Sequence, residues 1–162
     1  MVKTLSAEIL EADGLLLITL LLDATRERVF EAWTDPAQLA QWWGPKGFTN
    51  PVCDVDPRPG GGIFIHMRGP DGTVYPMTGR FEEVVRPERL IFTTAPLNEQ
   101  GRPLFRVLNR VTFAEPDTTL VLQTHAFDLA PEADPYLDGM PQGWSQSLER
   151  LELHLERMKQ AR

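Results

Sequence analysis

Between Val52 and Thr124 the chain is written in short apolar and β-prone runs. "IFIHM", "VYPMTGRFEEVV", "RLIFTT", "FRVLNRVTF" and "TTLVLQT" are separated by "RPGGG", "GPDG", "RPE", "NEQGR" and "EPD". Runs of that length bounded by Gly, Pro, Asn and Asp predict strands joined by turns, hence an antiparallel meander. Ahead of it stands "LLLITLLL", Leu15 to Leu22, a continuous apolar stretch far short of the ~20 residues that cross a bilayer and therefore read as a buried strand. Two short helices follow. Thr25 can cap one whose Val29, Phe30 and Trp33 share a face, and Asp35-Pro36 supplies a second N-cap with proline at the first helical position. That second helix runs to Trp42 or Trp43, where Gly44-Pro45 stops it. At the other end, "MPQGWSQSLERLELHLERMKQ" brings Trp144, Leu148, Leu151, Leu155 and Met158 round at helical spacing. They form one face of a long amphipathic helix that must lie on the sheet. Leu153 projects from the opposite side, and one exposed leucine does not argue for a dimer. No repeat or linker divides the chain, so residues 1–162 are read as one α+β domain.

The meander can be given a register. With Gly69 to Gly72 as a loop, Arg68 pairs with Thr73, His66 faces Tyr75 and Phe64 faces Met77. Side-chain alternation then places Phe64, His66, Tyr75, Met77, Gly79 and Phe81 on one face. A four-residue loop from Arg86 to Arg89 carries Phe92 onto it as well. Ile63, Ile65, Thr78, Arg80 and Glu82 fall on the other. The first face is the more aromatic and the less charged, so it is assigned to the concave side beneath the long helix. A bulge near Gly79 would change its far end.

Composition narrows the functional classes. A formal net charge of −7, with both signs interspersed, disfavours nucleic acid and anionic membrane, which need a concentrated basic surface. No charged segment followed by an apolar one opens the chain, so a cytoplasmic location is expected. The single cysteine, Cys53, allows no internal disulfide and reads as a small apolar strand residue. His66, His125 and His154 have no ligand spacing, so no metal site is expected. "RPGGGIF" leads into a strand, whereas a phosphate loop leads into a helix. Asp54 and Asp56 read as a solvated edge. No redox or nucleotide cofactor is indicated. His66 beside Tyr75 is the one candidate acid–base pair, a group titrating near neutrality next to a phenol. Asn109, alternating with Val107, Val111 and Phe113, points inward and can fix a ligand hydroxyl or carbonyl.

"RVFEAWTDPAQLAQWWGP", "GPDGTVYPMTGRFEEVVRPERLIFT" and "GWSQSLERLELHLE", in that order, resemble the SRPBCC superfamily of START and birch-pollen-allergen-like proteins. Within it they resemble the branch named after the C-terminal domain of the activator of heat-shock chaperone ATPase. The resemblance covers roughly Leu15 to the C-terminus. It implies a helix-grip fold, in which a curved antiparallel sheet wraps a long C-terminal helix and encloses a cavity. Residues expected at that cavity are Trp42, Trp43, Phe64, His66, Tyr75, Met77, Phe81, Phe92, Asn109, Trp144 and Leu148. Adjacent helical side chains leave about 100° apart, so Trp42 and Trp43 should divide between core and cavity, while Trp33 belongs to the core. Three functions follow: binding of a small apolar or amphipathic molecule, a cyclase- or hydrolase-type cavity enzyme using His66 and Tyr75, and a chaperone-contacting module.

Overall fold

The computed structural model describes residues 8–12, 15–115, 118–131 and 134–160. Its elements run β1 (Glu8–Ala12), β2 (Leu15–Leu22), α1 (Arg26–Thr34), α2 (Pro36–Trp42), β3 (Thr49–Val55), β4 (Gly62–Arg68), β5 (Val74–Val85), β6 (Arg89–Pro96), β7 (Arg106–Ala114), β8 (Thr118–Phe127) and α3 (Asp134–Gln160). The strands form one antiparallel sheet in the order β1-β2-β8-β7-β6-β5-β4-β3. Strands β3 to β8 are thus consecutive hairpins, and β2 closes the far side against β8. This is the helix-grip α+β architecture that the resemblance implies, with the meander and long C-terminal helix that the polar pattern predicts and one further strand, β1, ahead of them.

The two short helices start where expected. Thr25 Oγ1 accepts from Arg28 N, and Asp35 ends α1 by donating its backbone N–H to Glu31 O. The same Asp35 begins α2, its side chain accepting from Ala37 N with Pro36 at the first position. One residue thus serves as C-cap and N-cap, which fixes the angle between helices only a few turns long. Gly44, at φ +96, follows the Trp43 C-cap in the left-handed conformation that glycine adopts without steric cost.

Strand β2 alternates. Leu16, Ile18, Leu20 and Leu22 are buried, while the residues between them are partly or fully exposed. The apolar run is therefore one-sided, not buried on both faces. Helix α3 begins two turns earlier than its apolar stripe suggests, continuing back through Pro141 to Asp134. Leu148, Leu151 and Leu155 join the same buried cluster as Phe30, Trp33, Phe81, Phe92, Val111, Phe113, Leu120 and Leu122. Met158, predicted on that stripe, is 38% exposed. The end of the helix is held instead by Lys159, whose Nζ lies 2.7 Å from Asp23 Oδ2. Leu153 is exposed, as its position opposite the stripe requires.

The register of β4 on β5 differs from the sequence reading by one residue. Arg68 pairs with Val74, Met67 with Tyr75, His66 with Pro76, Ile65 with Met77 and Phe64 with Thr78. The loop is one residue longer because Asp71 Oδ1 accepts from Thr73 N and Gly72 turns at φ +88. A one-residue slip exchanges the faces of a strand. Ile63 and Ile65 are accordingly buried, and Phe64 is 39% exposed. On β5 the inner face is as expected. There a bulge between Phe81 and Glu83 brings Phe81 opposite Phe92. Gly79 lies against the neighbouring strand so closely that a Cβ would sit 2.2 Å from Thr93 O.

Candidate functional site

The inner face of the sheet and α3 do not meet everywhere. Besides the main buried cluster there is a smaller one of Leu104, Phe105, Val107 and Ala126, with Met140 of α3 packed on it. Between the two lies a cavity of about 390 Å³, within the range of small-molecule sites. Its floor is Met67, Tyr75, Met77, Thr94, Val107 and Asn109 from strands β4 to β7, with Pro76, Pro96 and Phe105 at one side. Its roof is Gly139, Met140, Gly143, Trp144 and Ser147 of α3, and the segment Trp43 to Phe48 closes the end. Among the described residues no charged side chain lines it.

The closing segment is tied to α3 by a cation. Arg150 Nη1 donates to Trp43 O, Gly44 O and Pro45 O at 2.9–3.1 Å, and its Nη2 to Gln41 O at 3.0 Å. Gln41 O and Trp43 O are at the C-terminal end of α2 and Gly44 O and Pro45 O follow it, so a cation there satisfies carbonyls the helix leaves unpaired and opposes its negative end. Asn50 Nδ2 adds donations to Ala40 O and Trp43 O. Lys46 donates its backbone N–H to Gln146 Oε1 and sets its ammonium 3.0 Å from Glu149. A further bond joins His154 Nε2 to Gln38 Oε1, while Gln38 Nε2 donates to Glu31 and Asp35. Burial holds the His154 pKa below the ordinary imidazole value, helped by Arg157 and opposed by Asp35.

The tryptophan pair divides as its helical geometry demands. Trp42 is 0% exposed, donates Nε1–H to Ala32 O and packs edge-on to Trp33; it is core. Trp43 reaches the cavity and meets Trp144 edge-on at 5.3 Å. Trp144 in turn stacks on the buried Trp33 at 6.1 Å. Of the other expected site residues, Tyr75, Met77 and Asn109 line the cavity. Phe81, Phe92 and Leu148 do not; they belong to the core.

Phe64 and His66 lie on the outer face of β4, their rings 4.8 Å apart, while Tyr75 turns inward and packs near Phe48. The acid–base pair of His66 with Tyr75 is therefore not assembled. Cys53 is half-buried, and burial with the neighbouring Asp54 pushes its thiol up to about 11. The thiol is thus protonated at neutral pH and a poor nucleophile. Asp54 and Asp56 are exposed, Asp56 pairing with Arg58. Among the described residues no group of His, Cys, Asp and Glu is placed to hold a metal ion. No helix among them is long and apolar enough to cross a membrane.

The cavity residues that an apolar pattern does not single out are the small and looped ones. Gly139, Gly143 and Ser147 recur every four residues along α3 and all face the cavity. Pro45, Phe48 and Phe105 come from loops. Glycine and serine at i, i+4 and i+8 are the signal that could have found the roof.

With this geometry in view, comparison with known proteins is decisive for kinship. Residues 23–156 match the family described as activator of Hsp90 ATPase homolog 1-like protein. The chain belongs to that family. Among solved structures, a protein from Mycobacterium smegmatis is 28% identical, with a TM-score of 0.77 over 91% of this chain and 95% of its own. One from Nitrosomonas europaea is 27% identical, with a TM-score of 0.75 over 93% and 99%. A family member from Silicibacter pomeroyi, 24% identical over 89% of this chain and 99% of its own, shares the fold at a TM-score of 0.78. No curated protein matches the chain.

Proposed function

We propose that this member of the activator of Hsp90 ATPase homolog 1-like family binds one small, neutral, mainly apolar molecule between α3 and the inner face of its sheet. The observation that carries the reading is the cavity of about 390 Å³ whose lining, among the described residues, holds aromatic and aliphatic side chains and no charge. A charged ligand would lose its hydration there without gaining a counter-ion. An apolar one would gain by leaving water. The polar groups on the wall, Tyr75, Thr94, Asn109 and Ser147, are few enough to orient a ligand without making the site hydrophilic. Binding is favoured over catalysis because, among the described residues, the wall carries no carboxylate, imidazole or lysine, and His66 is on the outer face.

The test is a titration with N-phenyl-1-naphthylamine, a neutral apolar fluorophore. Saturable binding of one equivalent, with quenching of tryptophan emission that Trp144→Phe largely removes, is the expected result. Weak, unsaturable binding indifferent to Trp144→Phe and Trp43→Phe would overturn the reading.

A further inference from the structure

Along the elements that border the cavity, the apolar side chains change in kind where the core gives way to open space. On the inner face of β4, Ile63 and Ile65 are buried in the main cluster, and the next inward residue, Met67, lines the cavity. On α3, Leu148, Leu151 and Leu155 pack in that cluster, while Met140 and Trp144 face the cavity. On β5, Phe81 is core, and Met77 and Tyr75 are on the cavity floor. Among the described residues no leucine or isoleucine lines the space. Three of the chain's five methionines do.

Local structure does not call for that exchange. Within strands, β-branched side chains are the favoured apolar ones, and methionine gives up more rotamer freedom on burial than isoleucine or leucine. What methionine adds is a polarizable thioether, which is attracted to aromatic rings and above all to their edges. The aromatic part of the wall is already held in fixed orientations. Trp144 stacks on Trp33 at 6.1 Å and meets Trp43 edge-on at 5.3 Å, and Phe48 lies 5.8 Å from Tyr75. Met67 stands opposite Tyr75 across the β4–β5 pair, and its Sδ lies so near the closing segment that a Cβ at Gly44 would be 3.0 Å from it. On the roof, Gly143 leaves helix backbone bare, since a Cβ there would meet only Pro45 Cγ, at 3.9 Å.

We infer that the bound molecule is a flat aromatic ring system, held by the thioethers of Met67, Met77 and Met140 together with the indoles of Trp43 and Trp144, and not an aliphatic chain or a saturated ring. The inference rests on the cavity-binding reading and deepens it. An aliphatic ligand gains by leaving water whichever apolar residues receive it, so a wall of isoleucine and leucine like that of the core would serve it equally well. An aromatic ligand gains in addition from edge and offset contacts with the indoles and from the sulfur atoms. The bare backbone at Gly143 lets the face of a ring approach the helix closely.

The experiment compares 2-naphthalenemethanol with decahydro-2-naphthalenemethanol, the same carbon skeleton fully saturated, by calorimetric titration of the full chain at neutral pH. Both are uncharged, and the saturated compound is the more hydrophobic, so transfer from water alone would favour it. The aromatic compound is expected to bind at least ~3-fold more tightly, through ring–ring and sulfur–ring contacts. Replacing the three methionines together, Met67→Leu, Met77→Leu and Met140→Leu, keeps volume and fold, which circular dichroism verifies. That variant should level or invert the preference by weakening the aromatic probe alone. Met67→Leu by itself, at a half-buried position, should already weaken aromatic binding ~2-fold. Equal or tighter binding of the saturated probe to the unaltered protein would overturn the inference and leave the cavity reading standing, and so would a preference that the triple variant leaves unchanged. Failure of both probes to bind would overturn the two together.

Discussion

Replacing Gly143 by alanine should make the protein more stable. The residue lies ten positions into the 27-residue helix α3, where the N-terminal capping that can favour glycine no longer operates. Its backbone is not left-handed, so an L side chain costs nothing in φ. The new methyl would stand 3.9 Å from Pro45 Cγ, an ordinary van der Waals contact worth a small gain. What remains is helix propensity, in which alanine exceeds glycine by about 0.8–1.0 kcal/mol, partly through the freedom glycine retains in the unfolded chain. In a domain of this size about 1 kcal/mol raises the melting temperature by roughly 2–4 °C. Gly139→Ala should add a similar amount from helix propensity. Urea unfolding followed by circular dichroism, with thermal melts beside it, measures this directly. A loss of about 0.5 kcal/mol or more for Gly143→Ala would refute the reasoning, because it would mean that α3 is not continuous there or that the space beside it is already filled. A gain in stability with weaker probe binding is the trade expected when a sequence keeps an unfavourable residue for its site.

Other substitutions test other parts of the structure. Leu151 is 0% exposed within the main cluster, so Leu151→Ala should cost about 2–5 kcal/mol, and an unchanged urea midpoint would contradict the seating of α3. Arg150→Met keeps much of the stem but strips Gln41 O and Gly44 O of their side-chain donor, while Trp43 O and Pro45 O keep Asn50 Nδ2 and Phe48 N, and should cost about 1–3 kcal/mol; the same variant should speed amide exchange in the Trp43–Phe48 segment, read by deuterium uptake. Burial, with Glu149 nearby, pushes the Glu152 carboxyl up from 4.5 to about 7, so the folded chain holds that proton to higher pH than the unfolded chain does. Its contribution to stability is present below about pH 4.5 and is lost as pH rises toward 7. Glu152→Gln should therefore gain on the unaltered protein as pH increases through that window, checked by melts at pH 4.5, 6 and 8. Of the four tryptophans, Trp33→Phe and Trp42→Phe should lower the melting temperature most, and Trp43→Phe and Trp144→Phe should most reduce the fluorescence response to N-phenyl-1-naphthylamine.

The order of elements was legible because each boundary carries its own local chemistry. Asp35-Pro36 and Gly44 mark the ends of α2 whatever the rest of the chain does. The faces of β4 were not legible, since "IFIHM" is apolar on both sides and its alternation alone cannot choose between them. The choice was made by the turn, and Asp71 bonding to Thr73 N lengthened it by one residue. Face assignments on β5 and β6 came out as expected because the bulge after Phe81 offset the shorter turn that follows. Trp43, Tyr75, Met77, Asn109 and Trp144 could be placed at the cavity from periodicity and fold. The roof of Gly139, Gly143 and Ser147 could not, because a search for apolar faces passes over residues whose contribution is absent volume. Phe81, Phe92 and Leu148 point toward the same interior but are covered by neighbours, which alternation does not report.

The pairing of β2 with β8 has a consequence for how the chain folds. Every ladder from β3 to β8 joins strands that follow one another, whereas Leu15 to Leu22 must find His125 to Thr118, roughly a hundred positions away by the loop-closure measure that slows non-local sheets. At about 5–20 residues per second of synthesis, β2 leaves the ribosome several seconds before its partner exists. During that interval it is an eight-residue apolar strand without proline or charge, the composition that favours intermolecular β-pairing. The adjoining β1, which needs only a tight hairpin to cover one edge, can form at once. The other edge stays open until β8 arrives, so refolding from denaturant should be limited by this seal, and deletion of β8 should turn a foldable meander into an aggregating one.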